Sequence, residues 1–361
     1  MMLSRIFLVS FIILTLIASS EASAKSRHQT HKPTVKAKHT PVKTNTVPNT
    51  LSDEDLTDKL LFRAPSVYPP AGKSNVKRIL RWKAVLSEKD IQYDIDILTY
   101  KGNNAMGLKT SYQNLIAGWE RLVKSGHLKM IYNKCRAKSV PFEIVFLALA
   151  ESSWNASALS STGASGYWQF MPDTAKSYGL IDKLRGHDHR NDPEISTEAA
   201  IALLKDNFNM TYSWDRSFAL KGKKPTNSER WLWSFWIYNS SPKSVSHYYR
   251  QSRGDPSVFY KYVENVENAN YVHKIFGIRE VLRDYVKQAR KYPHKKYENT
   301  PYGNYIQKWY ALTVCERSDL LSEINKQFQK SKKTAKKPDA LSIRIKRETD
   351  YVSALCKAVE R

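Results

Sequence analysis

The sequence predicts a mainly α-helical protein, with a helical domain over 109–290, a disordered basic tether before it and a small helical module after it. Three observations carry this. Apolar residues recur at helical spacing from Tyr112 onward, strand signals are nearly absent over 109–290, and prolines such as Pro141 and Pro172 stand where helices would open. Hydrophobic residues make up 41% of the 361-residue chain and aromatics 12%, enough to bury one sizeable core.

The elements follow in chain order. Arg5, an apolar run over 6–17 and the small residues Ala22-Ser23-Ala24 have the order of a secretory signal peptide, so 1–24 is read as a signal and Lys25 as the mature start. The run is shorter than the roughly 20 residues of a membrane span; an uncleaved anchor is the alternative. Residues 25–50 contain no acid and no large aromatic, and such a stretch cannot offset its ordering entropy, so a disordered basic linker is expected. Its histidines, His28, His31 and His39, are read as solvated. The segment 51–108 has no functional reading: Ile79, Leu80, Trp82, Val85 and Leu86 suggest one short helix, and 93–98 alternates like a strand.

Within 109–290, Leu115, Ile116, Trp119, Leu122 and Val123 mark one helix and 128–137 a second. Pro141 opens a third, whose apolar residues Phe142, Val145, Phe146 and Leu149 lead to Glu151. Further helices are expected over 173–178, 197–208, 229–238 and 270–290, with a Lys- and Gly-containing loop between Trp214 and Trp231. The module 291–361 is basic, with two helical patterns around a charged gap at 330–337, and is a candidate docking site for an envelope protein.

The formal net charge of +24 raises nucleic-acid binding as a rival function. Export and the low-complexity placement of part of the charge argue against a specific nucleic-acid partner, while anionic envelope polymers suit a basic exported protein. Of the three cysteines, Cys315 and Cys356 share the C-terminal module and could pair, which would stabilise it by roughly 3–4 kcal/mol. Cys135 reads as a small buried residue. No spacing resembles a metal site, and neither metal nor cofactor is expected.

The chemistry centres on Ala148-Leu-Ala-Glu151-Ser-Ser-Trp154, an apolar helix ending in one carboxylic acid. Burial and the helix C-terminus both disfavour its charged form, so the group keeps its proton near neutrality and can donate it to a glycosidic oxygen. The loop that follows is punctuated by Gly163 and Gly166, which allow tight turns beside a ligand, and carries Gln169, which offers both a donor and an acceptor.

Glu151-Ser152, the stretch 160–175, Tyr178-Gly179-Leu180, Asp192-Pro193, Tyr238-Asn239 and Asn270-Tyr271-Val272 occur in the order found in goose-lysozyme-like lytic transglycosylases. Over 112–282 the chain resembles that family, the membrane-bound murein transglycosylase D branch most of all. The resemblance implies a lysozyme-like helical domain that cleaves peptidoglycan between N-acetylmuramic acid and N-acetylglucosamine, leaving 1,6-anhydro ends. It implies Glu151 as acid and then base, a sugar site lined by Ser160, Gln169 and Met171, and approach to the carboxyl by Tyr238, Asn239 and Tyr271. Ser152 would support the local backbone.

A monomer in the periplasm or cell envelope, acting on glycan strands, is expected. The sequence departs from the family at Ser241, where glycine is usual, and Pro242 follows it. Two rival readings stay open: a lysozyme-type hydrolase using Asp173, Asp182, Asp188 or Asp192 as a second acid, and a non-catalytic peptidoglycan-binding component of an envelope assembly.

Overall fold

The computed structural model describes residues 51–70, 72–98, 111–182, 186–219, 222, 224–258, 270–291, 312–331 and 340–360. The expected signal peptide and the linker over 25–50 lie outside the described residues.

Four helices lead to the candidate acid. α1 (Asp53–Leu61) opens on a reciprocal cap between Ser52 and Asp55. α2 (Lys73–Leu98) is a single 26-residue helix. The expected short helix is therefore its first half, and the strand read over 93–98 is corrected to its last turns. Ile91, Ile95 and Leu98 also fall at i, i+4, i+7, and a six-residue alternation does not exclude that helical period. α3 (Ser111–Lys124) and α4 (His127–Lys138) follow, separated by a turn with Gly126 at φ +73°.

α5 (Ile144–Ser152) is apolar all round, and Ile144 through Ala148 are fully buried. Such a helix has no solvent face and must be surrounded. α3 and, above all, the later helix over Tyr271–Lys291 supply the surroundings. The short α6 (Pro172–Ser177) is followed by a two-stranded hairpin, β1 (Ile181–Asp182) and β2 (His187–Asp188), in which Ile181 faces Asp188 and Asp182 faces His187.

α7 (Pro193–Ser217) is longer than the 197–208 expected, because Asp192 caps it, Pro193 opens it and no breaker intervenes before Ser217. α8 (Asn227–Asn239) begins at a Thr226–Glu229 capping box and buries Trp231, Trp233 and Trp236. α9 (Pro242–Ser252) is not among the helices that the sequence predicts. α10 (Tyr271–Lys291) runs through the middle and packs on α1, α2, α3, α5 and α8.

The chain closes with α11 (Val314–Ser331) and α12 (Ala340–Glu360), packed on each other and on α3, and joined by a Cys315–Cys356 disulfide. The described residues from 51 onward form one compact unit. The described parts of 51–108 and 291–361, segments separated on sequence grounds from the domain between them, share its packing. Ser66 donates from its backbone and hydroxyl to buried Glu143, and Tyr351 of α12 donates to Asn114 of α3 at 2.5 Å.

Candidate active site

Glu151 sits one residue before the end of α5, where the chain leaves the core. The turn beyond it is held tightly. Ser153 and Trp154 are both left-handed, at φ 51° and 54°. Arg121 of α3 fixes them by donating from Nη2 to the Ser153 carbonyl at 2.7 Å and from Nε to the Trp154 carbonyl at 3.3 Å. Gly118, one turn earlier on α3, makes room for them: a Cβ there would lie 2.2 Å from the Ser153 oxygen. The Ser152 hydroxyl donates to the Tyr167 carbonyl at 2.7 Å and accepts from the Asn155 amide at 3.2 Å, so this side chain fastens the turn to the loop beyond.

The loop that follows is built on Gly163 and Gly166, at φ +89° and +80°. A Cβ on Gly166 would lie 2.0 Å from the Arg190 carbonyl oxygen, so only glycine fits this approach. Arg190, oriented by Asp188, donates to the carbonyls of Gly163 and Phe170 at 2.8 and 3.1 Å. Gln169, itself at φ 50°, spends its amide nitrogen on the carbonyls of Ala158 and Gly166 at 3.1 and 2.9 Å. Its side-chain amide thus shapes the loop.

Ser160 accepts from the Ala164 amide and shares a 2.9 Å hydrogen bond with Thr162, whose hydroxyl also approaches the Met171 sulfur at 3.9 Å. Thr162 joins two expected sugar-site residues, and the sequence pattern does not single it out. Met171 is 42% exposed, an open thioether at the loop's edge.

Three expected residues converge from distant elements. Tyr271, the first residue of α10, donates its hydroxyl to Glu151 Oε1. Tyr238, in the last turn of α8, donates to the Trp168 carbonyl at 2.7 Å. Burial, and then the nearby charge of Glu151, pushes both phenols well above their ordinary range. The Glu151 carboxyl is itself raised above the usual carboxylate range by burial, with the Tyr271 hydrogen bond and the Lys274 charge opposing the rise. Lys274, one turn along α10, also lies 3.5 Å from the Ala150 carbonyl; nothing in the sequence pattern points to it. Asn239 ends α8 in an exposed position, and no hydrogen bond fixes its amide among the described residues.

Each of the four candidate second acids is engaged within the fold. Asp173 pairs with Lys176 at an exposed site, Asp188 pairs with Arg190, and Asp192 caps α7 on the amides of Glu194 and Ile195. Asp182 lies in β1. The departure at Ser241 has a structural account. Its backbone is extended at φ −113°, a region open to any residue, and its hydroxyl caps α9 by accepting from the Ser244 amide at 3.2 Å.

Residues 129–256 match the family described as Transglycosylase SLT domain. Over that stretch the chain is similar to transglycosylase SLT domains. The mainly helical, lysozyme-like fold goes with it. Over 169 residues the chain is 25% identical to the protein named membrane-bound lytic murein transglycosylase D of Escherichia coli strain K12, covering 46% of this chain and 34% of that protein. The protein of the same name from Escherichia coli O6:H1 matches to the same extent. The chain thus spans about a third of the length of these curated relatives. Glu151, Ser160, Gln169, Met171, Tyr238 and Asn239 lie inside the stretch matched by the SLT domain; Tyr271 lies beyond it, as do α1 to α3 and α10 to α12.

Proposed function

We propose that this protein is a peptidoglycan lytic transglycosylase that cleaves the β-1,4 bond between N-acetylmuramic acid and N-acetylglucosamine and leaves a 1,6-anhydro end. The observation that carries the reading is Glu151: one carboxyl, raised by burial and held by a phenol at the end of an apolar helix, inside an SLT domain.

Protonated Glu151 gives its proton to the glycosidic oxygen as the C1–O4 bond breaks and the bonding pair leaves with that oxygen. The resulting carboxylate, steadied by the Tyr271 hydroxyl and the Lys274 charge, takes the proton of the muramic acid C6 hydroxyl. That oxygen then closes on C1, with no water consumed. The Arg121 clamp and Gly118 keep Glu151 from swinging away between the two transfers. Ser160, Met171 and the exposed Asn239 are proposed to line the sugar path, and Tyr238 to close it from α8. The envelope is the proposed site of action. No described helix is long and apolar enough to cross a membrane.

Mass spectrometry of muropeptides released from purified peptidoglycan tests this, with wild type and Glu151→Gln side by side. Anhydro-ended products from wild type alone are expected. Reducing ends would indicate a hydrolase that uses a second carboxylate. Absence of products from folded wild type would favour the non-catalytic binding component.

A further inference from the structure

A cavity of about 680 Å³ lies behind the catalytic turn, between the end of α3, the loop over 152–157 and the last turns of α12. Glu151 does not line it, nor do Tyr238, Tyr271 or Gln169. Its volume is in the ~300–1,000 Å³ range of small-ligand sites, and its lining is chemically two-sided. One side carries Arg121 and Lys124. Neither forms an ion pair among the described residues, and Arg121 binds the turn through Nε and Nη2 alone, leaving Nη1 without a protein acceptor there.

His127 adds a neutral donor. The Trp154 indole N–H donates to its Nδ1 at 3.1 Å, so the ring proton sits on Nε2, and burial holds the ring's pKa below its ordinary value. The other side is the aliphatic wall of Leu355, Ala358 and Val359 from α12. Glu360, at the exposed end of that helix, is the only acid among the described lining residues.

Two cations without a carboxylate partner among the described residues, one of them with only Nη1 to offer, and a neutral donor facing an aliphatic wall suit a ligand with a carboxylate at one end and small apolar groups along it. A neutral sugar has no use for the cations, and a phosphate has none for the wall. We infer that this cavity is a second, non-catalytic site that takes a short carboxylate-bearing peptide, and that its occupant is the peptide carried by the glycan strand. The choice of occupant rests on the function proposed above; the peptide-carboxylate chemistry does not. Ser152, Ser153 and Trp154 form the wall between this site and Glu151, so an occupant presses on the turn that positions the acid.

The test uses the full chain and, as probe, a stem tetrapeptide with free carboxylates beside its fully amidated form, with affinity read by calorimetry. The free peptide is expected to bind, and amidation to weaken it at least tenfold. Lys124→Glu reverses one charge at an exposed position, and Ala358→Trp fills the cavity from the opposite wall. Each should likewise cost at least tenfold. No binding to wild type, or binding indifferent to amidation and to both variants, would overturn the site.

Rates on peptide-bearing strands and on amidase-stripped strands then identify the occupant. Their ratio should exceed one in wild type and fall in both variants. Peptide binding with an unchanged ratio would overturn the strand peptide as occupant in favour of a free peptide terminus. Peptide binding with no cleavage of either strand would leave the site standing and remove the lyase reading instead.

Discussion

Tyr271 and Glu151 are 120 residues apart, and the hydrogen bond between them sets the balance on which the proposed chemistry turns. The donated hydroxyl favours the carboxylate, while burial favours the acid and is the larger influence. Tyr271→Phe removes a stabiliser of the charged form. The alkaline limb of kcat/KM that reports Glu151 should therefore move to higher pH, with a rate loss of about 10- to 100-fold because the carboxyl is no longer oriented by the phenol; a limb moving to lower pH would contradict this. Glu151→Gln should lower the rate by about 10² to 10⁴ and raise the Tm at neutral pH. The folded protein holds the Glu151 proton more tightly than the unfolded chain does. Ionisation above the ordinary carboxylate range therefore costs folding stability, a cost the amide does not bear. Below that range both states are protonated, so melts of the two proteins should converge as pH falls. Glu151, Tyr238 and Tyr271 are legible in the sequence because they stand in ordered motifs. Arg121, Thr162 and Lys274 are not, because their partners are backbone carbonyls, a thioether and a carboxyl brought near only by tertiary packing.

Among the elements, α3 crosses the end of α5 with no room for a side chain at Gly118. Gly118→Ala would drive a methyl group into the Ser153 carbonyl, which is backbone and cannot rotate away. A loss of about 1–3 kcal/mol is expected by denaturant titration, with a fall in kcat because the displaced turn carries Glu151. Restored stability with unrestored rate at lower temperature would separate the two effects. The helices α3 to α5 and α10 are readable from their apolar spacing. α9 is not: its buried side consists of Val245, Tyr249 and Ser252, too sparse to stand out, and its start signal, Ser241-Pro242, resembles a missing glycine. The second half of α2 is hidden for another reason, since six alternating residues mask the helical period that the turns before them make plain.

Across the whole molecule, the C-terminal helices are tied to the catalytic unit at a buried carboxyl. Glu120 of α3 accepts from the Tyr285 hydroxyl at 2.8 Å and from the amide of Val314, the first residue of α11, at 3.1 Å. Burial raises the Glu120 carboxyl, with both hydrogen bonds opposing the rise. Ending the chain at residue 291 removes the amide and bares α3, so a lower Tm and loss of activity are expected together. Reducing Cys315–Cys356, which closes a loop of 41 residues, should cost less, up to about 4 kcal/mol, read as a melt with and without reductant. In the sequence these helices look like an appendage, because their role lies in contacts that span the chain. Tyr271 belongs to the same pattern, and it bears on timing. A growing chain emerges from its N-terminus, and Glu151 exists long before its phenol does. No nascent chain that stops before Tyr271 holds the complete pair, so the proposed acid is assembled only after every helix from α1 to α9 has been made.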